Sequence, residues 1–407
     1  MYVNNQIQMK GLIMIINSLL DTDFYKFTQQ QAIYHQYTDV YVKYKFKWRN
    51  WYKMEIDDIG MFINDINNEI DNLCELRFNE DELQYLESIE FIKKDFVDYL
   101  RLFKLNRNHI NVYEKNGEIE IEIYGPWLNT ILFETPVLAI ISELYTIQLY
   151  SCDLYESSKN FINKITYLQT HAPEGFKFGD FGTRRRLSFE FQNYMIQGFI
   201  ENLDNKLVGT SNVYFAKKYN IKPLGTQAHE WFQAHQQLNV RLIDSQKDAL
   251  QKWADEYRGD LGIALSDCIT FDAFLIDFDK YFAKLFDGCR HDSGNPYEWV
   301  EKLISHYEKL GIDPKTKTAL FSDGLNFELA IDLYKKYNDK INVAFGIGTY
   351  LSNDAGFIAP QIVLKLVETN GLPVAKVSDS PGKGMCEDIS FENYLKKVIL
   401  QKIGKDE

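Results

Sequence analysis

The stretch Pro223-Leu224-Gly225-Thr226-Gln227-Ala228-His229-Glu230-Trp231 contains the unit that decides the fold of this chain. A short strand ends at Gly225, a polar turn follows, and a helix begins near His229. The same order of apolar run, glycine-containing polar turn and amphipathic helix recurs six or seven times between about Lys177 and Ser378. Repeated βα units of this kind are typical of a parallel sheet that closes into a barrel.

The turns of these units carry the polar groups that point to function. In chain order they are Gly182-Thr183-Arg184-Arg185, Gly209-Thr210-Ser211-Asn212, Gly225-Thr226-Gln227-Ala228-His229, Ser266-Asp267, Arg290-His291-Asp292-Ser293-Gly294, Ser322-Asp323-Gly324 and Gly346-Ile347-Gly348-Thr349. Because the loops after the strands of a βα barrel lie on one face, we expect these groups to converge on a single site. Backbone N–H groups, hydroxyls, arginines and one histidine suit phosphate better than a tightly bound transition metal.

Composition and charge limit the classes of protein to consider. A chain of 407 residues with 45% apolar content can bury large cores, in two or three domains at most. Its net charge of −13 argues against general binding to nucleic acid or to an anionic membrane. An anionic ligand must therefore be attracted by a local group of cations.

The cysteines and the N-terminus indicate a cytoplasmic protein. The five cysteines are scattered, with no CxxC pair and no His/Cys cluster at zinc spacing; they are Cys74, Cys152, Cys268, Cys289 and Cys386. The apolar stretch Gly11–Leu20 is too short to span a bilayer and lacks a cleavage site, so we expect no signal peptide or membrane anchor. Met9 or Met14 could serve as the working start.

A different pattern precedes the barrel. Asp39–Trp48 alternates apolar and polar residues, which predicts a half-buried strand, and helical segments follow from about Met54 to Lys104. Asn116-Gly117 between two alternating runs predicts a β-hairpin, and an apolar helix follows Pro136. We therefore expect an N-terminal α/β domain over residues 1–150 and the barrel over 151–379, with a tail over 380–407 that returns to the first domain.

His229 is the candidate catalytic residue. It sits near the start of a helix that Thr226 can cap, with its ring toward the ligand face. A metalloprotease pair is excluded, because His235 lies six residues further on, roughly 240° around the helix. A structural histidine bonded to a carbonyl is the alternative for an isolated residue.

Arginines supply the candidate anion contacts. Arg290 at a strand end can hold a carboxylate or phosphate with two hydrogen bonds, and Asp292 can hold a ribose hydroxyl or Mg²⁺. An ion pair between the two that only fixes the loop is the alternative. Arg184 lies in a run of three arginines, of which one usually faces solvent, but its place after Gly182 makes it a further candidate.

Two late turns predict a phosphate cradle. The stretch Phe345-Gly346-Ile347-Gly348-Thr349-Tyr350-Leu351 lacks the third glycine of a dinucleotide fingerprint, so a Rossmann fold is excluded. Gly346 and Gly348 allow close backbone approach, and Thr349 can donate its N–H and its hydroxyl. A plain tight turn is the alternative. Ser322-Asp323-Gly324, on the preceding strand, adds a second turn rich in donors beside the first.

At these residues the sequence resembles the nicotinate phosphoribosyltransferase family. The motifs that carry the resemblance, in order and spacing, are Asp21-Thr22-Asp23-Phe24-Tyr25-Lys26, Phe181-Gly182-Thr183-Arg184-Arg185-Arg186, Gly209-Thr210-Ser211-Asn212, Gly225-Thr226-Gln227-Ala228-His229-Glu230-Trp231, Arg290-His291-Asp292-Ser293-Gly294 and Gly346-Ile347-Gly348-Thr349. The match runs from about Leu19 to the C-terminus and leaves out only an N-terminal extension.

The resemblance implies an irregular βα barrel beside an α/β domain, assembled as a homodimer with shared active sites. It implies that nicotinate and phosphoribosyl pyrophosphate give nicotinate mononucleotide and pyrophosphate in NAD salvage, coupled to ATP hydrolysis through a phosphohistidine. Position by position, the phosphohistidine corresponds to His229, and Tyr25 is implied to reach the barrel of the partner subunit.

The site that we predict therefore has three parts. His229 is catalytic. The resemblance implies that Tyr25, Thr226 and Arg290 contact nicotinate, and we expect Arg184 to join them. The phosphoribosyl and phosphate contacts are Thr349, Gly348, Gly346, Asp323, Gly324, Asp292 and Ser211.

Mg²⁺ would bridge pyrophosphate oxygens, with ligands from the chain left unassigned. Two other functions stay open. The substrate could be nicotinamide, although the arginines favour the acid, or the barrel could bind a phosphate ligand without turnover.

Overall fold

A computed structural model describes residues 14–149, 155–380 and 384–404. Met9, Cys152, the first residues of the stretch Gly11–Leu20 and nearly all of the N-terminal extension lie outside these ranges.

Strands form two sheets. In chain order they are β1 (Tyr41–Trp48), β2 (Ile110–Lys115), β3 (Glu118–Pro126), β4 (Phe178–Asp180), β5 (Leu207–Thr210), β6 (Lys222–Pro223), β7 (Ile263–Leu265), β8 (Gly288–His291), β9 (Thr318–Phe321), β10 (Asn342–Ile347), β11 (Ile362–Thr369) and β12 (Leu372–Pro373).

Helices surround both sheets. They are α1 (Phe24–Gln36), α2 (Ile59–Glu75), α3 (Glu80–Glu87), α4 (Lys94–Leu100), α5 (Trp127–Thr130), α6 (Glu134–Leu149), α7 (Tyr155–His171), α8 (Phe189–Asn202), α9 (Val213–Tyr219), α10 (His229–His235), α11 (Ser245–Tyr257), α12 (Phe271–Asp277), α13 (Lys280–Leu285), α14 (Pro296–Lys309), α15 (Phe327–Tyr337), α16 (Thr349–Ser352) and α17 (Ile389–Lys402).

The N-terminal sheet is antiparallel, with the strand order β12-β11-β1-β3-β2. The alternation predicted for β1 is confirmed, because Val42, Tyr44 and Phe46 are buried. The predicted hairpin is confirmed as well. Asn116 and Gly117 both have positive φ, 54° and 79°, which is the conformation that a two-residue hairpin turn requires.

The second sheet has seven parallel strands in the order β6-β5-β4-β10-β9-β8-β7. The predicted α/β class with an irregular barrel is confirmed. In the described ranges the end strands β6 and β7 share no backbone ladder, and a side chain bridges them instead. The Thr226 hydroxyl, just after β6, donates to the carbonyl oxygen of Ile263 in β7 at 2.8 Å.

The C-terminal part of the chain touches both regions. Strands β11 and β12 lie inside the range expected for the barrel, yet β11 pairs with β1 of the N-terminal sheet. In the tail, Glu387 pairs with Lys45 of β1 at 2.5 Å, whereas Lys402 of α17 pairs with Asp277 of α12 at 2.6 Å. The domain limits 1–150, 151–379 and 380–407 stay predictions.

One helical stretch, Trp127–Leu149, is apolar and long enough to cross a membrane. It includes α5 and α6, and 89% of its apolar window is buried inside the protein. We therefore interpret it as a core helix.

A buried arginine joins the two regions. The Arg186 guanidinium holds both Asp21 carboxylate oxygens, at 2.6 and 2.8 Å, and its Nε donates to Glu143 of α6 at 2.6 Å. Arg186 is completely buried. Both carboxylates lose their hydration on folding, so the guanidinium is the group that compensates for their burial.

We expect the substitution Arg186→Leu to lower the free energy of unfolding by about 3–5 kcal/mol, because it leaves two buried carboxylates without their cation. Urea denaturation followed by circular dichroism measures the change. Arg101→Leu is the matched control, since Arg101 pairs with Glu80 on the surface and its loss should change stability little. Equal effects of the two substitutions would contradict the assignment.

Candidate active site

A small cleft of about 50 Å³ lies between the barrel strand ends and the N-terminal domain. Five of the residues predicted from the sequence line it. They are Tyr25, Arg184, His229, Arg290 and Asp292. The predicted convergence of turns therefore holds for the turns after β4, β6 and β8. Helices α1 and α6 and strand β11 complete the wall with Glu134 and Lys365.

His229 is the first residue of α10, as predicted, and is 6% exposed. Thr226 does not cap this helix, because its hydroxyl donates to Ile263; the N-cap position is Ala228, which has no side chain to donate or accept. The imidazole Nε2 lies 2.8 Å from Asp267 Oδ1 and 2.7 Å from Lys376 Nζ. Burial and the Lys376 ammonium lower the pKa of His229 to about 4, against the opposing effect of Asp267.

Nδ1 is the second ring nitrogen of His229. It makes no hydrogen bond with the described residues, and His229 lines the cleft. The ring therefore carries one proton near neutral pH, with its Nε2 side enclosed and its Nδ1 side available.

A buried charge cluster surrounds Nε2. His229, Asp267 and Asp292 have ligand atoms within 4.8 Å of one another, a spacing compatible with a metal ion. The Lys376 ammonium occupies this cluster, 2.9 Å from Asp267 Oδ2 and 3.9 Å from Asp292 Oδ2. Ser293 also donates to Asp267 Oδ2, at 2.6 Å. An ammonium already supplies the positive charge here, so these residues do not fit a divalent cation.

Arg290 is held at the cleft by three acceptors. It donates to Asp292 Oδ1 at 2.9 Å, to the Ser322 hydroxyl at 2.8 Å and to the Gln227 carbonyl at 3.4 Å. Burial alone would raise the pKa of Asp292, but Arg290 and His229 hold it well below its usual value. The ion pair between Arg290 and Asp292, given above as the alternative to ligand binding, is therefore present, and both residues line the cleft.

Tyr25 lines the cleft of its own chain, the cleft that also holds His229. The Arg184 guanidinium lies 6.0 Å from the centre of its ring, and its hydroxyl is buried without a hydrogen-bond partner in the described structure. Gly225 makes this approach feasible: its φ is +146°, and a Cβ there would lie 2.9 Å from the Tyr25 backbone nitrogen. Tyr25 thus lines the same cleft as His229 within one chain, and the expectation that it reaches the barrel of a partner subunit stays a prediction.

Arg184 also faces the N-terminal domain. Its guanidinium lies 3.4 Å from Asp23 and 3.6 Å from Glu134. Ser211 is one contact further away, because its hydroxyl donates to Asp23 at 2.6 Å. Ser211 is buried and does not line the cleft.

The two predicted phosphate turns are neighbours, because β9 and β10 pair in parallel. None of Asp323, Gly324, Gly346, Gly348 and Thr349 lines the cleft that holds His229. Asp323 acts together with Asp292 on the pKa of the Arg185 guanidinium, which places it on the same face of the barrel.

The glycines of these turns differ in role. A Cβ on Gly346 would lie 2.3 Å from the Phe181 ring, so this glycine makes room for an aromatic side chain rather than for a ligand. A Cβ on Gly348 would lie 3.1 Å from the Phe181 carbonyl oxygen. The Thr349 hydroxyl makes no hydrogen bond with the described residues at the start of α16.

Sequence reasoning missed the two lysines of the site, Lys365 and Lys376. Lys365 in β11 lines the cleft and makes no ion pair with the described residues, and burial and Lys376 lower its pKa to about 7. Each is a single charge inside an apolar run, Ile362-Val363-Leu364-Lys365-Leu366-Val367 and Val374-Ala375-Lys376-Val377. A lone charge within an apolar run is the signal that could have revealed both.

Solved structures that share this architecture include nicotinate phosphoribosyltransferases. The chain is similar to the crystal structure of nicotinate phosphoribosyltransferase from Vibrio cholerae, with a TM-score of 0.90 and 37% identity over 97% of this chain and 94% of that one. It is similar to the enzyme from Porphyromonas gingivalis, with a TM-score of 0.88 and 32% identity over 96% of this chain and 100% of that one. Fold and site thus define a phosphoribosyltransferase built on an irregular βα barrel.

Sequence comparison gives the particular family. The nicotinate phosphoribosyltransferase (NAPRTase) family matches residues 176–402, and its N-terminal domain matches residues 20–142. The chain is 52% identical to nicotinate phosphoribosyltransferase of Xanthomonas axonopodis pv. citri, over 95% of this chain and 98% of that protein. It is 50% identical to that of Cupriavidus necator over the same shares. The chain belongs to the nicotinate phosphoribosyltransferase family and is an enzyme, which excludes a barrel that binds phosphate without turnover.

Proposed function

We propose that the enzyme joins nicotinate to phosphoribosyl pyrophosphate and couples this reaction to ATP hydrolysis through a phosphohistidine at His229. The observation that carries the proposal is an uncharged histidine, open at Nδ1, in a cleft lined by Arg184, Arg290 and Lys365. A neutral imidazole has a lone pair to accept a phosphoryl group, and cations stabilise the anions on either side of the transfer.

Nicotinate would lie between Tyr25 and the cleft arginines. The ring of Tyr25 offers an aromatic face, and Arg184 and Arg290 can hold the substrate carboxylate. Thr226 stays in this set as a support, since its hydroxyl joins β6 to β7 next to the turn that carries His229. Nicotinamide has no negative charge to match these cations, so the acid is the favoured substrate.

The phosphoribosyl group would extend toward β9 and β10. We assign a ribose hydroxyl to Asp292 and the 5′-phosphate to the turn Gly346–Thr349, with Asp323 and Gly324 beside it. The open Thr349 hydroxyl supports this assignment. Ser211 takes part through Asp23, which pairs with Arg184, rather than by direct contact.

The glycosyl step needs charge stabilisation more than proton transfer. The pyridine nitrogen of nicotinate donates its lone pair to C1 of the ribose, and the bond from C1 to the pyrophosphate oxygen breaks. Pyrophosphate leaves with that electron pair, and the cleft cations neutralise it. Mg²⁺ would arrive bound to the phosphate oxygens, because the His229 cluster already holds an ammonium.

The phosphoryl step uses the other side of His229. Its Nδ1 lone pair forms a bond to the γ-phosphorus of ATP, the bond from that phosphorus to the bridging oxygen breaks, and ADP leaves with the electron pair. Asp267 holds the ring through Nε2 at 2.8 Å, so the imidazole is already oriented. Hydrolysis of the phosphohistidine then returns the free ring.

We further propose a cytoplasmic enzyme of NAD salvage. The homodimer with shared active sites stays a prediction, and sedimentation measurements can test the dimer.

Incubation with ATP labelled at the γ-phosphate should place an acid-labile, base-stable label on Nδ1 of His229. Antibodies specific for the two phosphohistidine isomers distinguish Nδ1 from Nε2. His229→Ala should abolish the label, whereas His235→Asn, in the same helix, should retain it. Label that persists without His229 would place the phosphoryl group elsewhere.

Arg290→Ala should weaken transition-state binding of nicotinate by about 2–5 kcal/mol, the range for losing one partner of a desolvated charge pair. Arg290→Lys should restore little, because an ammonium cannot form the planar two-bond contact. The measurement is kcat/KM for nicotinate. Arg241→Ala removes an arginine whose side chain is 82% exposed and should leave kcat/KM unchanged. Wild-type kinetics in Arg290→Lys would restrict Arg290 to a structural role.

Tyr25→Ala should raise KM for nicotinate about 2- to 10-fold, the effect of losing one aromatic stacking contact. Coexpression of Tyr25→Ala with His229→Ala distinguishes a site within one chain from a shared site: no ATP-coupled activity should return if Tyr25 acts in the cleft of its own chain, where it lies with His229. Differential tags establish whether mixed oligomers form. Recovery in mixed dimers would show that Tyr25 acts across a subunit interface.

A further inference from the structure

Lys376 is a buried lysine that forms and breaks no bond in either the glycosyl or the phosphoryl step. It is 3% exposed, and its backbone is fixed on both sides. Lys376 pairs with Met385, and the next residue, Val377, donates to the Cys268 carbonyl at 2.9 Å. Backbone hydrogen bonds thus attach the segment that carries Lys376 to the barrel turn that carries Asp267. They hold the ammonium group in a fixed position.

The two carboxylates that face His229 need the Lys376 ammonium to balance their negative charge. Two carboxylates face its Nε2, Asp267 Oδ1 at 2.8 Å and Asp292 Oδ2 at 3.6 Å. Two carboxylates so close to a histidine normally favour its protonated form. An imidazolium nitrogen, however, would lie 2.7 Å from the Lys376 ammonium, a contact between like charges with no hydrogen bond between them.

We propose that Lys376 is a positioning residue that keeps the imidazole of His229 uncharged beside two carboxylates. Its ammonium supplies the positive charge that Asp267 and Asp292 would otherwise stabilise on the histidine ring. The consequence for catalysis rests on the proposed phosphohistidine, because an imidazolium has no lone pair with which to accept a phosphoryl group.

The same contacts explain why a lysine is needed in addition to Arg290. Arg290 pairs with Asp292 Oδ1, on the side of that carboxylate away from the histidine. Lys376 is the cation at hydrogen-bond distance from both the imidazole and Asp267. Its burial keeps water from screening the interaction.

The test is the titration of the His229 ring, followed by nuclear magnetic resonance in ¹⁵N-histidine-labelled enzyme without substrates. The signal is assigned by its loss in His229→Gln. In the wild-type enzyme the ring should stay neutral down to about pH 5, and in Lys376→Met its pKa should rise by about 1–2 units, the shift expected for removing one neighbouring charge. The charged groups that face the ring, which the titration must consider together, are Asp267, Asp292, Lys376 and Lys365.

Lys365→Met is the matched control. It removes the same charge from the same cleft without a contact to His229, so its shift should be clearly smaller. Lys376→Arg keeps the charge and should keep the ring neutral. A wild-type ring that titrates above pH 6.5, or a Lys376→Met ring with unchanged pKa, would overturn the proposal, and the first of these does not depend on the folding of a lysine variant.

Phosphorylation kinetics give a second readout. A histidine reacts in its neutral form, so the rate of labelling by ATP in the wild type should not depend on pH between about 5 and 8. In Lys376→Met the rate should fall as the pH drops through the raised pKa and recover at higher pH, a pattern that loss of structure alone would not produce. If the ring titrates as expected but no label forms, the result contradicts the proposed phosphohistidine and supports the role proposed for Lys376.

Discussion

The buried ammonium of Lys26 is the interaction on which the site depends. It is fully buried and lies 2.5 Å from Glu134 of α6 and 2.7 Å from Glu230 of α10. One cation thus joins α1, α6 and α10. Tyr25 precedes this lysine and His229 precedes Glu230, so a single ion triad sets the distance between the aromatic wall and the catalytic histidine. Removal of the lysine would leave two buried carboxylates without a cation, a costly state that opposes separation of these elements.

Three cations line the cleft although the protein as a whole is acidic. The chain has a net charge of −13, yet Arg184, Arg290 and Lys365 meet where strands β8 and β11 reach the turn after β4. Arg185 illustrates the crowding, because burial and the neighbouring Arg184 and Arg49 lower its pKa to about 10. A bound anion would relieve this repulsion. Local potential rather than overall charge therefore attracts phosphate ligands to the cleft.

His229 is enclosed by groups from four separate places in the chain. Its own turn sets the position of the ring, Asp267 and Asp292 follow two later strands, and Lys376 comes from the segment after β12. Asp267 is in turn held by Ser293. Such a cluster is polar, buried and mutually satisfied, and it orients one ring nitrogen while leaving the other toward the cleft. The reactivity of His229 therefore depends on the whole cluster and not on the histidine alone.

Local periodicity in the sequence was enough to predict the two regions and part of the site. The alternation of β1, the Asn116-Gly117 hairpin and the recurring βα turns predicted the architecture, and the glycine turns placed His229, Arg290 and Asp292 on one face. The other features of the site depend on tertiary packing. Lys365 and Lys376 lie in apolar runs without any turn signal, and the position of Tyr25 in the cleft depends on the packing of α1 against Gly225. Local signals arise from neighbours in sequence, whereas the partners of a buried charge come from wherever the fold places an opposite charge, and no local pattern records that placement.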